Sequence, residues 1–199
     1  MIRELRAVET PLTLAVLTLL AERPRHPYEM KVAIRERRVD EVVKMRGGSL
    51  YDAIGRLERA EYIRQVGTTR AGARPERTVY EITASGREAL NTLLERFLTE
   101  PVNEYPRFVA ALAHLPALPP ETAARLLRRR AERLRADAAT AQRLSQEHTA
   151  HLPRAVLLDT EYRNRLRDAE ITWLEQTAHD IDHGMPWPGT DTTPDNDKE

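Results

Sequence analysis

Between Lys44 and Arg77 the sequence holds eight basic side chains, Lys44, Arg46, Arg56, Arg59, Arg64, Arg70, Arg74 and Arg77, against four acidic ones. Charge of that density suits a polyanion, because each phosphate neutralised by a guanidinium or ammonium group releases condensed counterions. Within this run Ser49, Asp52, Arg56 and Arg59 recur at spacings of three, four and three, which puts them on one face of a helix. Their chemistry suits base edges: arginine donates in pairs to guanine, a carboxylate accepts from the cytosine amino group, and a hydroxyl does either. Tyr51 offers a hydroxyl to a phosphate or packs on a neighbouring helix, and the backbone N–H groups at Gly48–Ser49 can hold a phosphate at a helix start. Any single arginine is equally well an ordinary solvated charge. The grouping carries the argument.

Other chemistries find less support. The chain has no cysteine, which excludes disulfides, thiolate metal sites and a cysteine nucleophile. His179 and His183 stand one helical turn apart, as do His148 and His151 within one residue, but neither pair has a defined third ligand, so no metal is expected. A histidine near a helix C-terminus more simply complements the dipole. No phosphate-cradling glycine loop, nucleophile elbow or dinucleotide fingerprint occurs, and the sequence predicts neither an enzyme nor a cofactor. Aromatic residues make up only 5% of the chain, and four of them, Tyr105, Phe108, Tyr162 and Trp173, either line a pocket for a planar effector or pack between helices and subunits.

The elements that must position these groups follow from periodicity. Thr10-Pro11 announces a helix whose Leu12, Ala15, Val16, Leu19 and Leu20 recur at helical spacing until Arg23-Pro24. A second helix is expected from Pro27 to Arg38, with Met30, Ala33 and Ile34 inward. A third is expected from Ser49 to Glu61, burying Leu50, Ile54 and Leu57. The pattern then alternates, giving strands at 63–66 and 77–82 joined by the loop Gly67 to Pro75, in which Arg70 and Arg74 flank Gly72 and can enter a minor groove. Thr83 to Leu98 returns to helix. Three helices, a two-stranded hairpin and a helix make a winged helix-turn-helix.

Beyond Pro101 and Pro106, short helix 107–115 precedes two long ones, Pro120 to His151 and Arg154 to His183. Ala123, Leu127, Ala131, Leu134, Ala138 and Ala141 form a narrow seam on the first, and Leu158, Tyr162, Leu166, Ala169, Trp173 and Ile181 on the second. Seams so narrow resemble a coiled-coil pair and need each other or a second subunit. The expectation is a mainly α protein with a small β-hairpin: a winged helix-turn-helix domain over 1–99, a coiled-coil-like helical domain for dimerisation and effector binding over 100–184, and a disordered tail over 185–199. Residues 1–90 carry 17 Lys/Arg against 13 Asp/Glu and the remainder 14 against 18, a basic head on an acidic body. No apolar run reaches the ~18 residues of a membrane span, and MIRELRAVE is no signal peptide, so a cytoplasmic protein without membrane contact is expected.

Four successive motifs in the head resemble the PadR-like transcriptional regulators. His26-Pro27-Tyr28-Glu29-Met30 is similar to the family's H-G-Y-E-L, and Gly48-Ser49-Leu50-Tyr51 through Arg56-Leu57-Glu58 to its G-S-L-Y…R-L-E. Arg74-Pro75-Glu76-Arg77 and Tyr80-Glu81-Ile82-Thr83 through Gly86-Arg87 to Leu90 resemble its R-x-x-Y-x-L-T-x-x-G-R-x-x-L. The body resembles the subgroup with an extended C-terminal helical domain. Pro27 stands for the usual glycine, Asp52 for a frequent proline, Gly55 falls mid-helix, and Glu61 stands where glycine often ends the recognition helix. The resemblance implies a homodimeric regulator, a repressor released by a small-molecule effector, on a near-palindromic operator. Lys44, Arg46, Gly48, Ser49, Tyr51, Asp52, Arg56, Arg59, Arg70, Arg74 and Arg77 would then meet DNA. The alternative is a winged-helix module that binds a protein partner without operator preference.

Overall fold

The computed structural model describes residues 5, 8–69, 77–149 and 152–188, with the backbone alone at 68, 69, 77 and 141–149. The chain forms two compact units, Met1–Asn103 and Glu104–Glu199.

The first unit begins with α1 (Pro11–Glu22). Thr10 caps it reciprocally: its Oγ1 accepts from the Thr13 N–H at 3.2 Å, and Thr13 Oγ1 accepts from the Thr10 N–H at 3.2 Å. Unlike the one-sided stripe read from spacing, α1 is buried almost all round, at Leu12, Thr13, Val16, Leu17, Leu19 and Leu20, because the other elements of the head surround it. Helix α2 (Pro27–Glu36) starts with a second reciprocal cap. His26 Nδ1 accepts from the Tyr28 N–H at 3.0 Å, and Glu29 accepts from the His26 N–H at 2.8 Å. That N–H holds the Glu29 carboxyl below its ordinary pKa. The motif His26-Pro27-Tyr28-Glu29-Met30 thus encodes a helix start, with Met30 delivered to the core.

A single 3-10 turn at Val39–Glu41 leads to α3 (Ser49–Arg59). Leu50, Ala53, Ile54 and Leu57 face inward from α3. The helix ends two residues before the Glu61 expected from the sequence. The Glu61 N–H donates to the Glu58 carbonyl at 2.9 Å and the Tyr62 N–H to the Leu57 carbonyl at 3.0 Å, while Glu61 itself is left-handed at φ 57°. This is the Schellman stop that glycine usually supplies.

Strands β1 (Ile63–Thr69) and β2 (Arg77–Ile82) pair antiparallel, Ile63 opposite Ile82 and Arg64 opposite Glu81, with a register shift between Gln65 and Gly67. β1 is three residues longer than its alternating pattern suggested, because past the bulge backbone pairing continues without apolar side chains. The buried Arg25 exchanges two backbone hydrogen bonds of 3.0 Å with Tyr80 and so joins the hairpin to the α1–α2 corner. Helix α4 (Ala84–Thr99), capped by Thr83, closes the core with Ala89, Leu90 and Leu93.

The second unit holds the short α5 (Arg107–Leu112) and the long α6 (Pro120–Thr149) and α7 (Leu158–Asp182). α6 and α7 run antiparallel: Arg128 pairs with Asp182, and Arg135, two turns on, with Glu175. Ala123, Ala124, Leu127 and Ala131 of α6 bury against Ile171, Leu174, Ala178 and Ile181 of α7. The α6 seam is as expected over its first half. On α7 only Ile181 of the expected seam is buried: Leu158, Tyr162, Leu166 and Trp173 are exposed, and Ala169 with them. A second ladder with the same spacing, Ile171 to Ile181, faces α6 instead, because its small Ala178 lets the helices close on the alanines opposite. Residues 185–188, assigned to a disordered tail, are described: Trp187 packs on this core and its Nε1–H donates to the Leu118 carbonyl at 2.9 Å. Residues 189–199 lie outside the described part. No helix among the described residues is long and apolar enough to cross a membrane.

Candidate nucleic-acid interface

Helices α2 and α3 form the helix-turn-helix of the head, and α3 presents its polar face away from the core. Tyr51, Asp52 and Arg59 are exposed on it, and Ser49, Gly55 and Arg56 half-buried. Ser49 Oγ accepts from the Arg46 N–H at 2.9 Å, which fixes the turn into α3 and leaves the hydroxyl hydrogen to donate. Gly48 occupies the cap position without a side-chain bond; the Ser49 N–H donates to the Arg46 carbonyl at 2.8 Å, and no cap side chain takes the N–H groups of Leu50 and Tyr51. Nothing lies within 4 Å of a Cβ built on Gly55, which gives a flat spot in the middle of the polar face. Arg56 is anchored along its stem: its Nε is shut off from solvent without a partner, and no ion pair holds the guanidinium. The Nη edge is therefore the part left to donate.

Intrachain pairing sorts the charges of the head. Arg23 pairs with Glu29, Arg25 and Arg37 with Glu22, Arg38 with Glu41, Arg64 with Glu81 at 2.6 Å and Arg96 with Glu9 at 3.0 Å. The shared Glu22 carboxyl is lowered to about 2, chiefly by the Arg37 hydrogen bond. Arg87 donates to the Ala21 carbonyl. Among the described side chains of the head, the cations left without a partner are Lys31, Arg35, Lys44, Arg46, Arg56 and Arg59. All six belong to α2, α3 or the segment between them. Arg64, counted in the basic run, is spent on Glu81.

Of the other residues singled out from sequence, Arg70 and Arg74 lie outside the described residues, and Arg77 is described only as a backbone partner of Thr69 in the wing. Gln65 of the wing donates to Glu58 of α3 at 2.7 Å, which ties the hairpin to that helix. Two cations escaped the sequence reading. Lys31 and Arg35, one turn apart on α2, border with Tyr28, Gly47, Leu50 and Tyr51 a groove of about 220 Å³. Tyr28 is 61% exposed. The available signal was the spacing of Tyr28, Lys31 and Arg35 opposite the buried Met30, Ala33 and Ile34.

The four aromatics of the body do not converge. Phe108 and Trp173 meet edge to face, centroids 6.4 Å apart, with the Arg130 guanidinium 3.7 Å over the Phe108 ring. Tyr162 is eleven residues before Trp173, about 16 Å along the helix. Tyr105 is 81% exposed at positive φ. The rings of His179 and His183 stack 3.8 Å apart, and no group of three metal-ligating side chains occurs among the described residues.

The architecture is a winged helix-turn-helix followed by a helical unit. Residues 16–92 match the transcriptional regulator PadR-like family, the family that its motifs resemble. No curated protein matches the sequence. Among solved structures the chain is similar to Bacillus subtilis PadR in complex with operator DNA, at 20% identity and a TM-score of 0.68, over 85% of this chain and 98% of that one. It is also similar to that PadR in complex with p-coumaric acid (19%, 0.67, 86% and 99%) and to the Vibrio cholerae virulence activator AphA (19%, 0.63, 86% and 98%). At such identities the likeness is one of fold, and it extends through both units.

Proposed function

We infer that this chain is a sequence-specific, double-stranded DNA-binding transcriptional regulator, a repressor that acts as a homodimer on a near-palindromic operator and is released by a small-molecule effector. The observation that carries this reading is the sorting of charge: acids neutralise arginines elsewhere on the head and leave six cations open along α2, α3 and their connection. In a helix-turn-helix that is the side laid against DNA, with the second helix in the major groove. Ser49, Asp52 and Arg56 are the base readers, and Lys44, Arg46, Arg59, Tyr51 and the uncapped N–H groups of the first turn after Gly48 hold the backbone. Arg70 and Arg74, from the loop between the strands, extend the grip to the neighbouring minor groove, and Arg77 adds a further contact with DNA.

The dimer rests on the stripe Leu158, Tyr162, Leu166 and Trp173 of α7, an apolar face exposed to solvent apart from the edge contact of Trp173 with Phe108. A second copy is the occupant favoured, because two heads can then meet successive major grooves about 34 Å apart. Of the four aromatics, Phe108 and Trp173, in edge contact with Arg130 over the Phe108 ring, are the effector residues proposed, and Tyr105 and Tyr162 stand apart from them. An effector that prefers another separation of the heads shifts the population off DNA. The similar Bacillus subtilis regulator, solved with operator DNA and with p-coumaric acid, supports both parts of this reading.

Selection of bound duplexes from a random library, with light scattering of the same protein, is the test. The expected result is an inverted repeat with half-sites one helical turn apart and a particle of twice the chain mass. Binding without any sequence preference would favour a module that meets an acidic protein partner, and a stable monomer would remove the dimer.

A further inference from the structure

The groove between α2 and α3 has chemistry that the base-reading face does not use. Lys31 and Arg35 project into it from successive turns of α2, like charges that repel each other and have no carboxylate to offset them. Tyr28 and Tyr51 border it from the two helices, 61% and 63% exposed, and neither hydroxyl has a partner in the chain. Gly47, at φ 45°, turns the backbone along its edge, and nothing lies within 4 Å of where a side chain would start. Its volume of about 220 Å³ lies below the ~300–1,000 Å³ of sites that enclose a small molecule. Two unneutralised cations, two free phenolic donors and an open mouth suit an anion that passes through and continues on both sides.

We propose that this groove seats consecutive backbone phosphates of one DNA strand, with Lys31 and Arg35 supplying charge and Tyr28 and Tyr51 donating hydroxyl hydrogens. The proposal rests on the DNA-binding reading above and adds a positioning site to it. The first helix of a helix-turn-helix crosses the backbone beside the groove that the second helix enters. Phosphates held at Tyr51 fix the register of its neighbours Asp52 and Arg56 against the bases, while the contacts themselves carry no sequence information.

The experiment measures affinity for the selected operator and for random duplex at several salt concentrations, with the full chain and with Lys31→Ala, Arg35→Ala, the double variant, Arg35→Lys and Tyr28→Phe. Each cation removed from a head is expected to lower the slope of log K against log salt by about one. Operator and random duplex should weaken by the same factor, leaving their ratio unchanged. Arg35→Lys should keep the slope, and Tyr28→Phe should weaken both duplexes severalfold at constant slope. Both cations are exposed, so melting curves should match that of the parent and separate binding from folding. Unchanged slopes in the folded double variant, or a loss confined to the operator, would overturn the phosphate seat while leaving the DNA-binding reading intact. Failure of the parent chain to bind either duplex would overturn both.

Discussion

The backbone of Gly86 in α4 lies so close to the Tyr62 carbonyl that a Cβ there would overlap its oxygen, with Ile82 Cγ1 only 2.8 Å away. This approach lets the Thr83 N–H donate to the same carbonyl at 3.0 Å and Thr83 Oγ1 reach the Glu61 carbonyl at 2.8 Å. The end of α3, the start of β1 and the start of α4 are thereby held at one point. Gly86→Ala is expected to destabilise the chain by about 2–3 kcal/mol, the range of an overpacked core. Denaturant melting measures it, and an unshifted midpoint would contradict the close approach.

Glu61 presents the opposite case. It occupies a left-handed conformation that costs a residue with a side chain roughly 1–2 kcal/mol and glycine nothing. Its carbonyl bonds to Thr83 and Ser85 do not need its side chain. Glu61→Gly should raise stability by about 1 kcal/mol, less a share for the freer unfolded chain. A fall in melting temperature would count against the Schellman stop.

The Glu22 clasp makes stability depend on acid. Its carboxyl, ordinarily near 4.5, is lowered to about 2 when folded, chiefly by the hydrogen bond from Arg37 and then by that from Arg25. The depressed value means the contribution is complete above pH 4.5 and is lost as pH falls towards 2. The side chain is 39% exposed, so solvent screening reduces the effect to on the order of 1 kcal/mol. Glu22→Gln should flatten this part of the stability–pH profile, and an NMR titration of Glu22 with an ordinary midpoint would refute the clasp.

For the interface, Arg56→Ala is expected to reduce the operator-to-random affinity ratio, by about 1–3 kcal/mol if the guanidinium pairs bidentately with guanine. Arg74→Ala should weaken both duplexes and lower the salt slope. Identical losses on both duplexes for Arg56→Ala would make it a phosphate contact instead.

Much of the head is legible in the linear chain because its determinants are local. Thr10-Pro11 and the motif His26 to Met30 specify helix starts through bonds that span three residues, and the buried rows Met30, Ala33, Ile34 and Leu50, Ile54, Leu57 follow from helical period. The basic run from Lys44 pointed to the candidate interface for the same reason. Lys31 and Arg35 were missed because their role depends on what α3 brings beside them, and Arg64 was overcounted because Glu81 opposite it is seventeen residues away.

Periodicity also fails where two ladders share a helix. α7 carries one from Leu158 to Trp173 and another from Ile171 to Ile181, and nothing in their order says which one meets α6. The sequence by itself determined where most helices and strands begin, and that positive charge gathers around the third helix. Only the tertiary structure decided which arginines remain open and which apolar face stays uncovered. Ion pairing and close packing are properties of distance in space, set by partners that helical spacing cannot name.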